Sequence, residues 1–580
     1  MSVLSYLKRS HWLLIGAMAA FISIQVWFDL EIPGYMSRIT ILLNSGSPAD
    51  AILEEGLAMI ACSVGSVFCS IAAGGVAAYV ASEFAKILRR EQFKRVQSFS
   101  PEEMSRFNIY SLITRSTNDV TQVQMAVART SQLIVKVPVM VYIALSKIAT
   151  GSWEWTEVSA VGIIAIVIVQ IFMLSYVIPR YRKVQMYTDG MNRTVREGLS
   201  GVRVIRAFNA QEYQNRKADM ANDELTENNL YASRLLAFTR PFNGVVQNIL
   251  TVVIYMIGAD IILASSAEGA LIVFSNMVVF SSYILYVVSS FILLAHVAMG
   301  LPRALVSARR IGEVLDTEVS IVNGTESGPE GGDVCISFKD VSFSYPGSPG
   351  ETLSGITFDV RRGETVAVVG QTGSGKTSLI NLVPRMFDAT SGTIEVDGMD
   401  VKRYDLDSLR SKMGYATQKP ILFSGTVRFN IGYGRPGCSD EDMWDAAKVS
   451  CIDEFLDSRK GLDTVVEQMG ANLSGGQKQR ISIARAVCKR PEIYIFDDTF
   501  SALDFKTDAK VRRNLKKETS GSTILIVSQR LSTIADADRI IVLSDGKMVG
   551  NGTHAELMAS CPIYQEMARI QDFGEGIRWP

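Results

Sequence analysis

The stretch TVAVVGQTGSGKTSLINLV, Thr365–Val383, decides how the C-terminal half of this 580-residue chain is read. Its first residues form an apolar run of strand type, and its last form the apolar face of a helix. Between them Gly370, Gln371, Thr372, Gly373, Ser374, Gly375, Lys376 and Thr377 fit the spacing GxxxxGK[ST], with Ser378 following. A glycine-rich loop at a helix start can wrap backbone N–H groups around phosphate. Lys376 then reaches the β- and γ-phosphates, and the Thr377 hydroxyl is placed to ligate Mg²⁺. Downstream, EIYIFDD is a second apolar strand tipped by Asp497 and Asp498. A carboxylate there, Asp497, can hold the same Mg²⁺ from the opposite side. From Cys335 onward strands and helices alternate, the pattern of an α/β domain.

The N-terminal half is of another kind. The chain is 48% hydrophobic and only 20% charged, and six apolar stretches lie before residue 300. They fall near 12–30, 56–82, 129–150, 155–178, 242–265 and 271–300. Each is long enough for a bilayer core of about 30 Å, which takes about 20 helical residues. Cations cluster on alternate loops: Lys8 and Arg9, then Lys86, Arg89 and Arg90, then Arg180 and Lys183, then Arg303, Arg309 and Arg310. The intervening loops carry Asp50, Glu54, Glu55, Glu157 and Glu268 instead. Positive charge stays inside, so both termini are expected in the cytoplasm. The first span is expected to remain as an anchor rather than be cleaved. Two inside connections, about 83–130 and 179–241, are polar and helix-favouring, which predicts long cytoplasmic extensions. The expected division is a transmembrane domain over 1–315, a linker over 316–333 and a cytoplasmic nucleotide-binding domain over 334–580.

Composition excludes several classes. A net charge of −1 offers no basic field for nucleic acid, and the apolar content excludes disorder. Seven Cys without a CxxC pair argue against a disulfide scaffold or zinc ribbon and for reduced thiols.

Between the two strands lies NLSGGQKQRISIARAV, whose Ser474, Gly475, Gly476 and Gln477 open a helix able to face an anion. This LSGGQ resembles the signature of ATP-binding cassette (ABC) proteins. Further matches follow in order. Tyr345 in SFSYPG resembles the aromatic residue that stacks on adenine. Gln418 in YATQKP resembles the glutamine that senses Mg²⁺ and γ-phosphate. Ser501–Asp504 (SALD) resemble the family's D-loop. The resemblance covers about 335–570, and the six spans before it resemble an exporter-type half-transporter. SLITRSTNDV (Ser111–Val120) and GVRVIRAFNAQEY (Gly201–Tyr213) resemble its two cytoplasmic coupling regions. The fold so implied is an all-α six-helix transmembrane domain with long cytoplasmic helical extensions, followed by an α/β P-loop ATP-binding cassette. The resemblance also implies a multi-pass protein of a bacterial plasma membrane that takes ATP and Mg²⁺ and works as a dimer by alternating access. Each ATP then lies between one chain's Gly370–Thr377 and the other chain's signature.

Two positions depart from the family pattern. The residue after Asp497 is normally Glu, which polarises the attacking water; here it is Asp498. The switch position in IVSQRLSTI is normally His; here it is Gln529. Asp is one methylene shorter than Glu, and small misplacements cost about a hundredfold in rate. Gln cannot become an imidazolium, and His11, His296 and His554 sit in other segments. The expectation is a heterodimeric exporter of drug- or lipid-like amphiphiles in which this chain is the degenerate-site subunit. Its signature would then act on the partner's ATP, and the resemblance counts Asp504 of the D-loop among the catalytic residues. Transport of peptides or siderophores, including import, and an ATP-gated protein without net transport stay open as alternatives. Polar residues within or near the spans include Gln25, Gln170 and His296, and Lys136, more central, is expected to face either the cavity or the inner headgroups. Asp29, Lys147 and Asp260 are expected near outer ends, reaching to the interface.

Overall fold

The computed structural model describes residues 3–149, 153–264, 266–329 and 331–575. The chain divides into two compact units, Met1–Ser98 with Phe107–Thr317, and Phe99–Arg106 with Glu318–Pro580.

The first unit is built from α1 (Arg9–Asn44), α2 (Ala49–Gln97), α3 (Val120–Ile148), α4 (Trp153–Ser200), α5 (Gln211–Ala264) and α6 (Ala267–Asp316). At ~1.5 Å per residue, the 49 residues of α2 span about 74 Å, more than twice a bilayer core. Long helical extensions beyond the apolar stretches are therefore part of the fold. Among the described residues, five segments are long and apolar enough to cross a membrane: Arg9–Asn44, Ala49–Gln97, Ile109–Ile148, Pro241–Ala264 and Gly269–Leu294. The beginning of α4 gives a shorter apolar stretch, Trp155–Val169. The span expected near 155–178 includes Gln170, whose side chain, like that of His296, lies outside the described residues.

Helical spacing sets the core of this unit. Met18, Ile22, Val26 and Leu30 of α1 bury in one cluster with Ala77 of α2, Met140 and Ala144 of α3, and Phe280 of α6. The Trp155 ring meets Phe280 edge-on at 5.0 Å. Leu13, Phe68 and Ile71 remain exposed, as apolar side chains do on a lipid-facing surface. Lys147 and Asp29 are half-buried and have partners within the bundle. Lys147 pairs with Glu31 at 2.7 Å, and Asp29 accepts a hydrogen bond from Ser66. Pairing lowers the cost of holding these charged groups on apolar helices.

The segment Ser111–Val120 starts in a short helix, Ile109–Thr114, capped by the Asn108 side chain, and continues as a π-helical turn, Arg115–Asp119. This turn is pinned to the end of α6. Arg115 pairs with Glu313 at 2.9 Å and donates to the Arg310 carbonyl at 2.8 Å, while Ser307 donates to Asp119 at 2.7 Å. The second segment forms a short helix, Val202–Ala207, followed by an exposed Phe208.

Among its described residues the second unit holds three sheets. β2 (Leu353–Arg361), β1 (Val334–Phe343), β4 (Ser391–Val396) and β5 (Met399–Asp400) form an antiparallel sheet in that order. A six-stranded sheet runs β12 (Lys547–Gly552), β11 (Arg539–Ser544), β3 (Thr365–Gly370), β10 (Thr523–Val527), β9 (Ile493–Asp497) and β6 (Met413–Ala416). All its pairings are parallel except β11 with β12. A two-stranded ribbon joins β7 (Gly425–Thr426) to β8 (Val465–Val466). Val366, Ala367, Val368 and Val369 of β3 are fully buried, as a central parallel strand covered on both faces requires. The Gly- and Glu-rich stretch after Asn323 is docked on this unit. Gly324 N–H donates to the Tyr404 carbonyl at 3.0 Å, Asp405 N–H donates to the Glu326 carbonyl at 2.8 Å, and Arg403 pairs with Glu326.

Candidate functional site

In a parallel sheet, ligands bind beyond the carboxyl ends of the strands. Four strands here deliver candidate residues to that one edge. β3 runs into Gly370, β6 into Gln418, β9 ends at Asp497, and β10 leads through Ser528 to Gln529. Register explains the convergence, since Val527 lies opposite both Val368 and Asp497.

The loop after β3 is shaped by its glycines. A Cβ on Gly370 would come within 2.3 Å of the Leu543 carbonyl oxygen, so no larger residue fits. Gly375 has φ +96° and leads into α7 (Lys376–Leu382). Lys376 is buried, and its ammonium donates to the carbonyls of Gly370 at 2.8 Å and Gln371 at 2.7 Å. Burial pulls its pKa below the usual lysine range, opposed by the charges of Asp498 and Asp497. The ammonium therefore closes the loop on itself, at the head of a loop whose Gln371, Thr372 and Gly373 are exposed.

Oxygen donors gather beside it. Thr377 Oγ1 donates to Asp497 Oδ1 at 3.0 Å, and Gln418 Nε2 donates to Asp498 Oδ2 at 3.2 Å. Burial pushes the Asp497 carboxyl above its ordinary range, the Thr377 hydrogen bond opposes that, and the charge of Asp498 adds to it. A hydroxyl, a carboxamide and a carboxylate form a hard-oxygen set suited to Mg²⁺. Asp498 sits at φ 44°, a left-handed conformation that Asp tolerates better than most side chains. Its N–H donates to the Val527 carbonyl at 2.9 Å, and its own carbonyl accepts from Ser501 Oγ at 2.8 Å.

Tyr345 is half-buried, edge-on to Phe343 and Phe387 with ring centroids at 4.8 and 5.3 Å, and its hydroxyl meets Ser378 Oγ at 2.9 Å. Gln529 stands apart. Its side chain is exposed and has no hydrogen-bond partner among the described residues. Its backbone is held by a residue that sequence reasoning missed. From α10 (Pro562–Glu575), Gln571 Nε2 donates to the Gln529 carbonyl at 2.7 Å and Gln571 Oε1 accepts from the Leu531 N–H at 2.8 Å. Thr499 was also missed; its hydroxyl donates to the Ala416 carbonyl at 3.0 Å and ties the ends of β9 and β6 together. The motif order flags neither residue, because one lies 42 positions away and the other directly follows a more conspicuous carboxylate pair.

The LSGGQ segment opens α8 (Gly475–Cys488). Ser474 Oγ accepts from the Gln477 N–H at 3.3 Å, and Gln477 Oε1 accepts from the Ser474 N–H at 2.9 Å. This reciprocal cap fixes the turn while Ser474 and Gly475 face solvent. Among the described residues, no hydrogen bond joins Ser474–Gln477 to Gly370–Thr377 of the same chain. Asp504 caps α9 (Phe505–Glu518) by accepting from the Thr507 N–H at 3.0 Å, which holds its carboxyl below the usual range. The structure thus brings together Lys376, Thr377, Gln418, Asp497 and Asp498, and leaves the signature and Asp504 on separate, exposed helix starts.

Comparison with known proteins adds to this geometry. Residues 353–501 match the ABC transporter family, and residues 14–291 match the ABC transporter transmembrane region. An uncharacterized ABC transporter ATP-binding protein of Mycobacterium tuberculosis is 37% identical over 90% of this chain and 89% of its own. An ATP-dependent lipid A-core flippase of Syntrophus aciditrophicus is 31% identical over 87% of this chain and 83% of its own. In fold, the chain is similar to a bacterial Atm1-family ABC exporter with ATP bound. That comparison has a TM-score of 0.78 and 22% identity, and covers 97% of this chain and 99% of the other.

Proposed function

We infer the function from a premise now in hand: this chain belongs to the ABC transporter family, with a helical membrane region fused to an ATPase domain. It is a multi-pass membrane protein and an ATP-driven transporter of exporter type, whose ATPase domain couples hydrolysis to transport. The finer reading is ours. We propose that the chain is one half of a heterodimer with six spans, carries an ATP site impaired in hydrolysis, and exports small drug- or lipid-like amphiphiles from the cytoplasm.

One observation carries the asymmetric reading. The binding apparatus is complete, with Lys376, Thr377, Gln418 and Asp497 converging, but Asp498 and Gln529 replace the two groups that activate water. Asp498 is further occupied by the Gln418 carboxamide. Thr377, Gln418 and Asp497 would hold Mg²⁺, which supplies charge neutralisation between the β- and γ-phosphates. Lys376 would exchange its two loop carbonyls for phosphate oxygens, and the glycines leave the backbone N–H groups free to approach them. The solvent-facing cap at Ser474–Gln477 is free to meet a second chain's nucleotide. A lipid-like cargo is supported by similarity to proteins described as lipid A-core flippases.

The test is retention and flux in the purified complex. After one turnover with labelled ATP, one unhydrolysed ATP per complex should remain bound, and proteoliposomes should concentrate an amphiphile against its gradient. Release of both nucleotides as ADP at equal rates would reject the asymmetry, and mere equilibration of the amphiphile would reject export.

A further inference from the structure

Within the membrane unit, side chains of α1, α2, α3 and α6 line a half-open cavity of about 460 Å³, within the usual size of ligand sites. Its walls mix two chemistries. Ile22, Leu133 and Leu293 supply apolar surface, while Gln25, Thr130, Arg129 and Lys136 supply polar groups. Both charged residues are cations, and no carboxylate lines the cavity among the described residues. Arg129 and Lys136 lie seven residues apart on α3, two turns along one face, about 10 Å at helical rise.

Two other cations flanking this stretch of the chain are paired. Lys147, further along α3, is neutralised by Glu31 at 2.7 Å, and Arg115 by Glu313 at 2.9 Å. Arg129 and Lys136 have no ion-pair partner among the described residues. Thr130 Oγ1 is buried and has no hydrogen-bond partner among the described residues. Arg129 is exposed and Lys136 half-buried, and with no carboxylate in the lining they give the cavity a positive field that favours an anion. An unsatisfied hydroxyl beside them calls for an acceptor or donor.

We propose that this cavity is a cargo site for an anionic amphiphile, with a phosphate or carboxylate head held by Arg129, Lys136 and Thr130 and an apolar tail against Ile22, Leu133 and Leu293. The proposal rests on the transport reading above and narrows its cargo from amphiphiles in general to acidic ones.

The experiment reads binding without ATP, so an error in the asymmetric hydrolysis scheme would leave its result unchanged. The full-length chain in phosphatidylcholine nanodiscs is titrated with dansyl-tagged dodecyl phosphate and with the matching dodecyl trimethylammonium. The wild type should bind the phosphate at least about tenfold more tightly, in line with charge-assisted hydrogen bonds. Arg129→Gln with Lys136→Gln should erase that preference, and Arg129→Lys with Lys136→Arg should keep most of it. Retained binding of a fluorescent ATP analogue reports that each variant is folded. Equal affinity of the wild type for the two heads would overturn the proposal without any variant. So would an undiminished preference in the folded double Gln variant. Competition by inorganic phosphate as effective as that by unlabelled dodecyl phosphate would identify a soluble anion as the ligand and reject the amphiphile.

Discussion

Replacing Asp498 by Glu and Gln529 by His should switch on hydrolysis at this chain's own nucleotide. The added methylene extends the carboxylate by about 1.5 Å, one C–C bond, from a position where Oδ2 sits 3.2 Å from Gln418 Nε2. A displacement of that order is worth about a hundredfold in rate, or about 2.7 kcal/mol of barrier. The imidazole restores a group able to carry positive charge near the developing phosphate charge, which Gln529 cannot. Stability should fall slightly, because Asp498 occupies φ 44° and a longer side chain there costs about 1 kcal/mol more. The assay is steady-state ATPase of the complex after the partner's own hydrolytic site has been silenced, with Asp498→Glu measured alone and with Gln529→His. A rise of about a hundredfold for the pair, and a smaller one for the single variant, is expected. If the double variant binds ATP normally and hydrolyses it no faster than the wild type, carboxylate reach and imidazolium charge are not what limits this site.

Gln571→Ala removes both hydrogen bonds that hold the loop from Gln529 to Leu531, so hydrogen exchange at the Leu531 amide should speed up roughly tenfold while ATP affinity changes little. Lys412→Met withdraws a cation 2.6 Å from the wholly buried Asp397, leaving Arg362 as its remaining close cation, and should destabilise the ATPase unit by about 3 kcal/mol in a urea titration. Burial holds the Asp497 carboxyl above its unfolded value, so this group favours folding below about pH 4 and that contribution is lost as pH rises through the folded pKa. Asp497→Asn, which keeps an acceptor for Thr377, should therefore raise the nucleotide-free melting temperature at pH 7. The gain should vanish toward pH 4, and Mg²⁺-dependent ATP binding should weaken.

Much of the fold is written in local pattern. Thr365–Val383 encodes a buried strand, a turn that only glycine can make at Gly370 and Gly375, and a helix, and each rests on residues next to one another in sequence. The length of the apolar runs likewise announces the membrane helices. Long-range partners are not encoded in this way. The Lys147–Glu31 pair joins residues 116 positions apart, and no local pattern around either residue names the other. Gln571 holds the switch loop with a side chain that carries no motif. Lys136 is visible as an intramembrane charge from sequence, but Arg129 and Thr130 join it only once α3 is packed and its ion pairs can be traced. At the nucleotide site the residue types were legible, whereas the contact between Gln418 and Asp498 depends on β6 lying beside β9.

The central claim is a division of labour between the phosphate loop and the signature of this chain, and paired variants of the proposed heterodimer test it most directly. Steady-state ATPase is compared for Asp498→Asn and Gln477→Ala, each made in this chain alone. The account predicts that Asp498→Asn changes turnover by less than about twofold, since little hydrolysis depends on it, while Gln477→Ala lowers it by about a hundredfold by disrupting the cap that faces the partner's γ-phosphate. Loss of turnover in Asp498→Asn, with Gln477→Ala left active, would contradict it.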